Sequence, residues 1–150
     1  MAKRKGISPV IATVIIVAVT IAVAIAVAFW MTGIVGLFTG AVEKIEFVSL
    51  YAQPTETGWT LTAILRNVGT TTTSIDMCFI NGVPNTQWDN AAQLDQNLPI
   101  TLNTGQNATI TITLTRGQNI GTTALNPGVS IEVKFHTTGG KEYPKLTTLP

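Results

Sequence analysis

The chain has 150 residues and a mass of 15.9 kDa, enough for one domain and an added segment. Hydrophobic residues are 45% and mean hydropathy is +0.35, while charged residues are only 11%, against about 25% in an ordinary globular domain. The formal net charge of +1 excludes a nucleic-acid-binding basic field. The single Cys excludes an intrachain disulfide framework and a cysteine-rich zinc site, and the apolar content excludes disorder.

Most of the apolar residues lie in one run. Between Gly6 and Val42 no side chain is charged, and from Ile7 to Phe38 only Ser8, Thr13, Thr20 and Thr32 interrupt it. The stretch VAVTIAVAIAVA alternates large and small as a strand does. Its length decides otherwise, because strands rarely exceed about ten residues and a lone segment in lipid must satisfy its own backbone. A hydrophobic helix over residues 7–44 is therefore predicted, with Pro9 in the first turn and Ser8 placed to cap it. Lys3, Arg4 and Lys5 hold its start on the cytoplasmic side. The run is too long for the core of an ordinary cleaved secretory signal. Ala18, Ala22 and Ala26 recur at four-residue spacing, Ala24 and Ala28 repeat it, and Gly36 and Gly40 form a GxxxG. Small residues so spaced open grooves for close helix packing.

The run KRKGISPVIATVIIVAVTIAVA, residues 3–24, resembles the N-terminus of archaeal type IV pilins: a basic tripeptide, a Gly, ISPVIA, and a long Val/Ile/Ala helix. The resemblance implies a class III signal peptide over residues 1–6, cut by a membrane prepilin peptidase between Gly6 and Ile7. It implies that the helix first anchors the subunit in the cytoplasmic membrane. The pilus assembly machinery then draws it into the core of a homo-oligomeric helical filament that serves adhesion at the cell surface. Bacterial type IV pilins carry a Glu as the fifth residue after the cut; here that position is Ile11, as in the archaeal branch. Archaellins share the architecture but start with a glycine-rich sequence rather than ISPVIA, which favours a non-rotating pilus. The likeness is specific over about the first quarter of the chain and architectural beyond it.

Charge marks the end of the helix. Glu43, Lys44 and Glu46 are the first charges after the apolar run, and Glu43 and Glu46 read as a solvated helix end. From there the period is two. Residues 45–53 open the pattern; Trp59, Leu61, Ala63 and Leu65 then alternate with Thr60, Thr62 and Arg66. Ile75, Met77 and Phe79 alternate with Ser74, Asp76 and Cys78; Ala108, Ile110, Ile112 and Leu114 alternate with threonines; Val129, Ile131, Val133 and Phe135 follow suit. Asn67-Val68-Gly69, Asn81-Gly82-Val83-Pro84, Asn126-Pro127-Gly128 and Gly139-Gly140 supply turns. The expected fold is α+β, a long hydrophobic helix followed by an antiparallel, immunoglobulin-like β-sandwich head over residues 45–150. Residues 65–82, LRNVGTTTTSIDMCFING, are similar to a strand–turn–strand of archaeal pilin and archaellin heads.

Catalytic constellations are missing from this pattern. His136 reads as a solvated side chain on a polar strand face, Ser130 lies about 20 Å from it along the same strand, and Cys78 reads as an inert thiol inside a strand. No nucleotide-binding loop, zinc signature or paired CxxC occurs, so no enzyme, cofactor or metal is expected. Asp89, Asn90, Asp95 and Asn97 are oxygen-bearing but lack the ligand spacing of a Ca²⁺ loop. Asn-x-Gly-Thr-Thr occurs twice, at Asn67 and Asn119. About one residue in six is Thr, a surface suited to glycosylation or subunit packing, and Asn107-Ala108-Thr109 is an N-glycosylation sequon. Three classes of function follow: a pilus subunit, a singly anchored extracytoplasmic binding module that does not polymerise, and, last, a membrane-bound enzyme.

Overall fold

The computed structural model describes residues 8–38 and 40–150. Lys3, Arg4, Lys5, Gly6 and Ile7 lie outside the described residues. The chain divides into two compact units, Met1–Gly40 and Ala41–Pro150.

The first unit carries one helix, α1, Pro9–Phe38, which at about 1.5 Å per residue is roughly 45 Å long. Its window Pro9–Gly36 has a mean hydropathy of 3.1, long and apolar enough to cross a bilayer. The helix begins where proline is tolerated, with the Ala12 N–H donating to Ser8 O at 3.1 Å. It ends earlier than the expected residue 44. Gly40 is a bend, residues 41–44 are not helical, and Glu46 lies in a strand. Glu43 and Glu46 therefore share no helical face, and Gly40 stands outside the helix that carries Gly36. The physical reason is competition for backbone groups: residues 42 and 44 hydrogen-bond to the turn after Asn67 instead of continuing the helix.

The second unit is built of antiparallel strands. One sheet has the order β1 (Ile45–Pro54), β2 (Gly58–Asn67), β7 (Asn107–Thr115), β5 (Ala92–Leu94). The other has the order β11 (Glu142–Thr148), β10 (Ser130–Thr137), β3 (Thr73–Ile80), with β4 (Val83–Pro84) and β6 (Ile100–Leu102) both on the far side of β3. A small ribbon joins β8 (Asn119–Ile120) to β9 (Thr123–Ala124). Strands β2, β7 and β10 alternate as the sequence predicts. Trp59, Leu61, Ala63, Leu65, Ile110, Ile112, Leu114, Ile131, Val133 and Phe135 are buried in one core shared by both sheets.

Strand β3 departs from the expected alternation. Ile75 pairs with Thr137 but Met77 pairs with His136, so the register shifts at Asp76. A bulge adds one residue to one strand and turns every later side chain to the opposite face. Consequently Ile75, Cys78 and Ile80 are buried while Met77 is 41% exposed and Phe79 is only half-buried. A second irregularity, between Phe47 and Ser49, turns Val48 outward on β1.

Candidate assembly surface

The helix has no apolar face and polar face; it is apolar all round. Its described side chains are exposed except those of Ala12 and Ile34, which are half-buried. Such a surface is costly in water and suits burial, in lipid or against other apolar surface. Its three threonines hide their hydroxyls within the helix itself. Thr13 donates to Val10 O at 2.8 Å, Thr20 to Ile16 O at 2.7 Å and Thr32 to Ala28 O at 2.8 Å. None of these hydroxyls therefore needs water.

The small residues are not spread evenly around the cylinder. At about 100° per residue, Ala18, Ala22, Ala26, Gly33 and Gly36 fall within an arc of roughly 80°. Ala24 and Ala28 fall on the opposite side. Val14, Val17, Ala18 and Ile21, with Thr13 beside them, line an apolar hollow on the helix surface. Their spacing of i, i+3, i+4 and i+7 is that of the four residues that receive a knob in helix packing. Gly33 and Gly36 have nothing within 4 Å of where a Cβ would stand. Each costs the helix about 1 kcal/mol relative to Ala, and no described neighbour in the chain requires either to be Gly.

At the start of the second unit the chain is gripped. Val42 and Thr70 bond twice: Val42 N to Thr70 Oγ1 at 2.9 Å, and Thr70 N to Val42 O at 2.8 Å. Lys44 O accepts from both Val68 N and Gly69 N. Between them, Glu43 Oε1 accepts from the Thr73 hydroxyl at 2.6 Å, and Glu43 O accepts from Lys141 Nζ at 2.8 Å and from the Tyr143 hydroxyl at 3.4 Å. Burial, with the Glu43 carboxylate adding to it, holds the Tyr143 phenol above its ordinary pKa, so it stays a donor. Gly69 is required by close approach, since a Cβ there would strike Val42 O and lie 2.7 Å from Lys44 N. Glu43 is thus a structural acceptor rather than a solvated helix end.

The turn doing the gripping is itself tied by Asn67, which is fully buried. Its Nδ2 donates to Thr71 O at 2.8 Å and Leu102 O at 3.0 Å, and its Oδ1 accepts from Gly69 N at 2.9 Å. The other Asn-x-Gly-Thr-Thr lies on the β8–β9 ribbon with Asn119 exposed. The sequence echo therefore has no structural counterpart. The Asn-x-Gly-Thr-Thr pattern does not distinguish the two asparagines; long-range partners do, Leu102 O for the Asn67 side chain and Gln106 O and Gly105 N for its backbone.

The remaining residues singled out in sequence are scattered over the head. His136 is not simply solvated: its Nδ1 lies 2.6 Å from Asp76 Oδ1, and both side chains are about a quarter exposed, at 26% and 28%. Asp76 is the residue at the β3 bulge, so the bulge is what brings the carboxylate to the ring. Ser130 bonds Thr148 across β10–β11 at 3.0 Å and does not approach His136. Cys78 is buried, and burial pushes its thiol far above the ordinary range. Asp95 Oδ1 accepts from Thr111 N, Asn90 O from the Thr115 hydroxyl, and Asp89 holds a turn at φ 49°. Among the described residues no three His, Cys, Asp or Glu side chains gather as metal ligands. Asn107 is exposed at the first position of β7, directly after a turn, and Thr109 is exposed two residues on.

The outer strands offer little backbone for addition of another strand. Strand β5 has 3 residues, β4 has 2 and β6 has 3, β1 is interrupted by a bulge, and β11 carries Pro144 and Lys145. Short, bulged, proline-bearing and lysine-bearing edges resist edge-to-edge pairing. No family model matches the chain, and no curated protein is significantly similar to it.

Proposed function

We propose that the chain is a structural subunit of an adhesive extracellular filament of the archaeal type IV pilus kind. The observation that carries this reading is the helix Pro9–Phe38, which is uncharged, apolar all round and small-faced along one side. A bare membrane span needs only the first two properties. The arc of Ala18, Ala22, Ala26, Gly33 and Gly36, with two glycines that no described neighbour in the chain demands, suits a helix that packs against copies of itself.

In this reading residues 1–6 are removed by a prepilin peptidase between Gly6 and Ile7, the helix waits in the cytoplasmic membrane, and assembly machinery transfers it to a filament core. Removal of Lys3, Arg4 and Lys5 is physically required, because burying three cations in an apolar bundle is prohibitive. The head is an immunoglobulin-like sandwich. Supporting this, the orders β1-β2-β7-β5 and β11-β10-β3 correspond strand for strand to the A-B-E-D and G-F-C sheets of that arrangement. The blunted edges favour a head that does not polymerise by strand addition. Asn107 is the glycan attachment site, displayed beside a turn.

The deciding experiment is electron microscopy of sheared surface filaments with N-terminal sequencing and intact mass of their subunit. Ile7 as the first residue supports the filament reading. Surface protein that retains Lys3 to Lys5 and forms no filaments makes the chain a singly anchored module instead.

A further inference from the structure

The open side of the head, between β5 of one sheet and β4 and β6 of the other, is crossed by residues 85–98. This segment holds a cleft of about 330 Å³. We propose that the cleft is a binding site for a neutral carbohydrate.

The lining carries the inference. Four carboxamide-bearing residues line it, Asn85, Gln93, Gln96 and Asn97, together with the apolar Trp88, Ala92, Leu94 and Leu98. No Asp, Glu, Lys, Arg or His is among its lining residues. Asp95 sits between two lining stretches in sequence but is not itself a lining residue, and its Oδ1 accepts from Thr111 N at 3.0 Å. An ionic ligand entering here would lose water without gaining a countercharge. A hydrocarbon would meet a wall that is mostly polar. A sugar fits both facts: each hydroxyl donates and accepts, each carboxamide does the same, and the ring C–H groups suit small apolar patches. The volume is at the lower end of ordinary ligand pockets, the size of one or two sugar rings.

Part of the wall is already oriented. Gln96 Nε2 donates to Thr109 O at 2.9 Å, which leaves its Oε1 uncommitted by that bond. Asn85 Oδ1 accepts from Cys78 N at 3.4 Å, which leaves its Nδ2 likewise. Trp88 is 2% exposed and pinned by its Nε1–H to Val83 O at 2.8 Å, so it is a fixed part of the lining. Gln93 and Asn97, like Gln96, are exposed at the rim. An exposed lining of which only part is held by hydrogen bonds gives modest affinity per site. Repetition along a polymer would multiply it, and that multiplication rests on the filament reading while the site itself does not.

The test uses the full chain in a zwitterionic detergent without sugar groups, titrated with maltose, cellobiose, mannobiose and chitobiose and observed by saturation-transfer NMR and calorimetry. At least one should bind with a Kd at or below about 10 mM. Gln93→Ala with Asn97→Ala, two exposed rim substitutions, should weaken it roughly threefold to tenfold at an unchanged unfolding midpoint. Asn119→Ala, outside the cleft, should leave it unchanged. The proposal is overturned if none of the four sugars binds, if the rim substitutions leave affinity intact, or if galacturonate or sialyllactose binds better than every neutral sugar. None of these outcomes depends on filaments forming.

Discussion

Replacing Asn67 should remove a large part of the head's stability, whereas replacing Asn119 in the second Asn-x-Gly-Thr-Thr should remove almost none. Asn67→Ala deletes three hydrogen bonds of 2.8, 3.0 and 2.9 Å and leaves Thr71 O, Leu102 O and Gly69 N without their partner. At about 1 kcal/mol net per bond, and more where a buried group stays unpaired, the loss is about 3–5 kcal/mol. A domain of this size has about 5–15 kcal/mol to lose. Asn119→Ala, at an exposed position, should stay within about 0.5 kcal/mol. Asn67→Asp separates bonding from size, because it keeps the acceptor for Gly69 N but turns a carboxylate oxygen toward two carbonyls. Burial and those acceptors must raise the introduced carboxyl above its unfolded pKa of about 3.9. Between the two values the folded chain holds a proton that the unfolded chain has released. The variant is therefore most stable below about pH 4 and loses stability as pH rises through the raised value. Urea unfolding of the fragment Ala41–Pro150, followed by the fluorescence of buried Trp59 and Trp88, reads each midpoint. An Asn67→Ala midpoint near that of the parent, or an Asn67→Asp loss that is equal in acid and at neutral pH, would refute this account of the turn.

The fragment Ala41–Pro150 should be soluble and monomeric by sedimentation, since its core is internal and its edges are blunted; defined oligomers or fibres would move assembly into the head. Ala22→Leu should leave membrane insertion intact, because Leu is apolar and a good helix former, while filament yield on the cell surface falls at least several-fold; normal filaments would make the small-residue arc incidental. Cys78 should resist iodoacetamide in the folded head and react at the rate of global unfolding, as burial keeps its thiol protonated; fast labelling in buffer would contradict the bulge that turns it inward. Gly69→Ala should destabilise the same fragment by about 2 kcal/mol or more, because the new Cβ meets backbone rather than a movable side chain, which thermal unfolding would read.

What the sequence made legible was periodic. A chargeless run names its own helix, and clean alternation over eight or more residues names β2, β7 and β10 along with their buried faces. What it hid was everything that depends on one extra residue or on a distant partner. The bulge at Asp76 reverses the second half of β3, yet a bulge leaves no mark in a strand of alternating character, so Met77 and Phe79 were set on the face of Ile75, whereas the reading of Cys78 as an inert thiol within the strand agrees with its burial. The His136–Asp76 contact spans 60 positions and exists only because of that bulge. Residues 88–99 showed no period because their one strand, β5, is three residues long, too short to have one. The helix end was misplaced for a related reason: residues 41–44 have nothing against helix in their own composition, and their backbone is claimed by a turn more than twenty residues away.

That claim on residues 42–44 has a mechanical consequence. When the chain is pulled at residue 41, tension entering the head reaches Val42 before it reaches β1. There it meets the two Val42–Thr70 bonds, the paired amides on Lys44 O, and the Lys141 and Tyr143 donors on Glu43 O. These anchors belong to two different parts of the head, the turn after β2 and the strand pair β10–β11. Load is therefore divided between both sheets at once, rather than unzipping β1 from β2 one bond at a time.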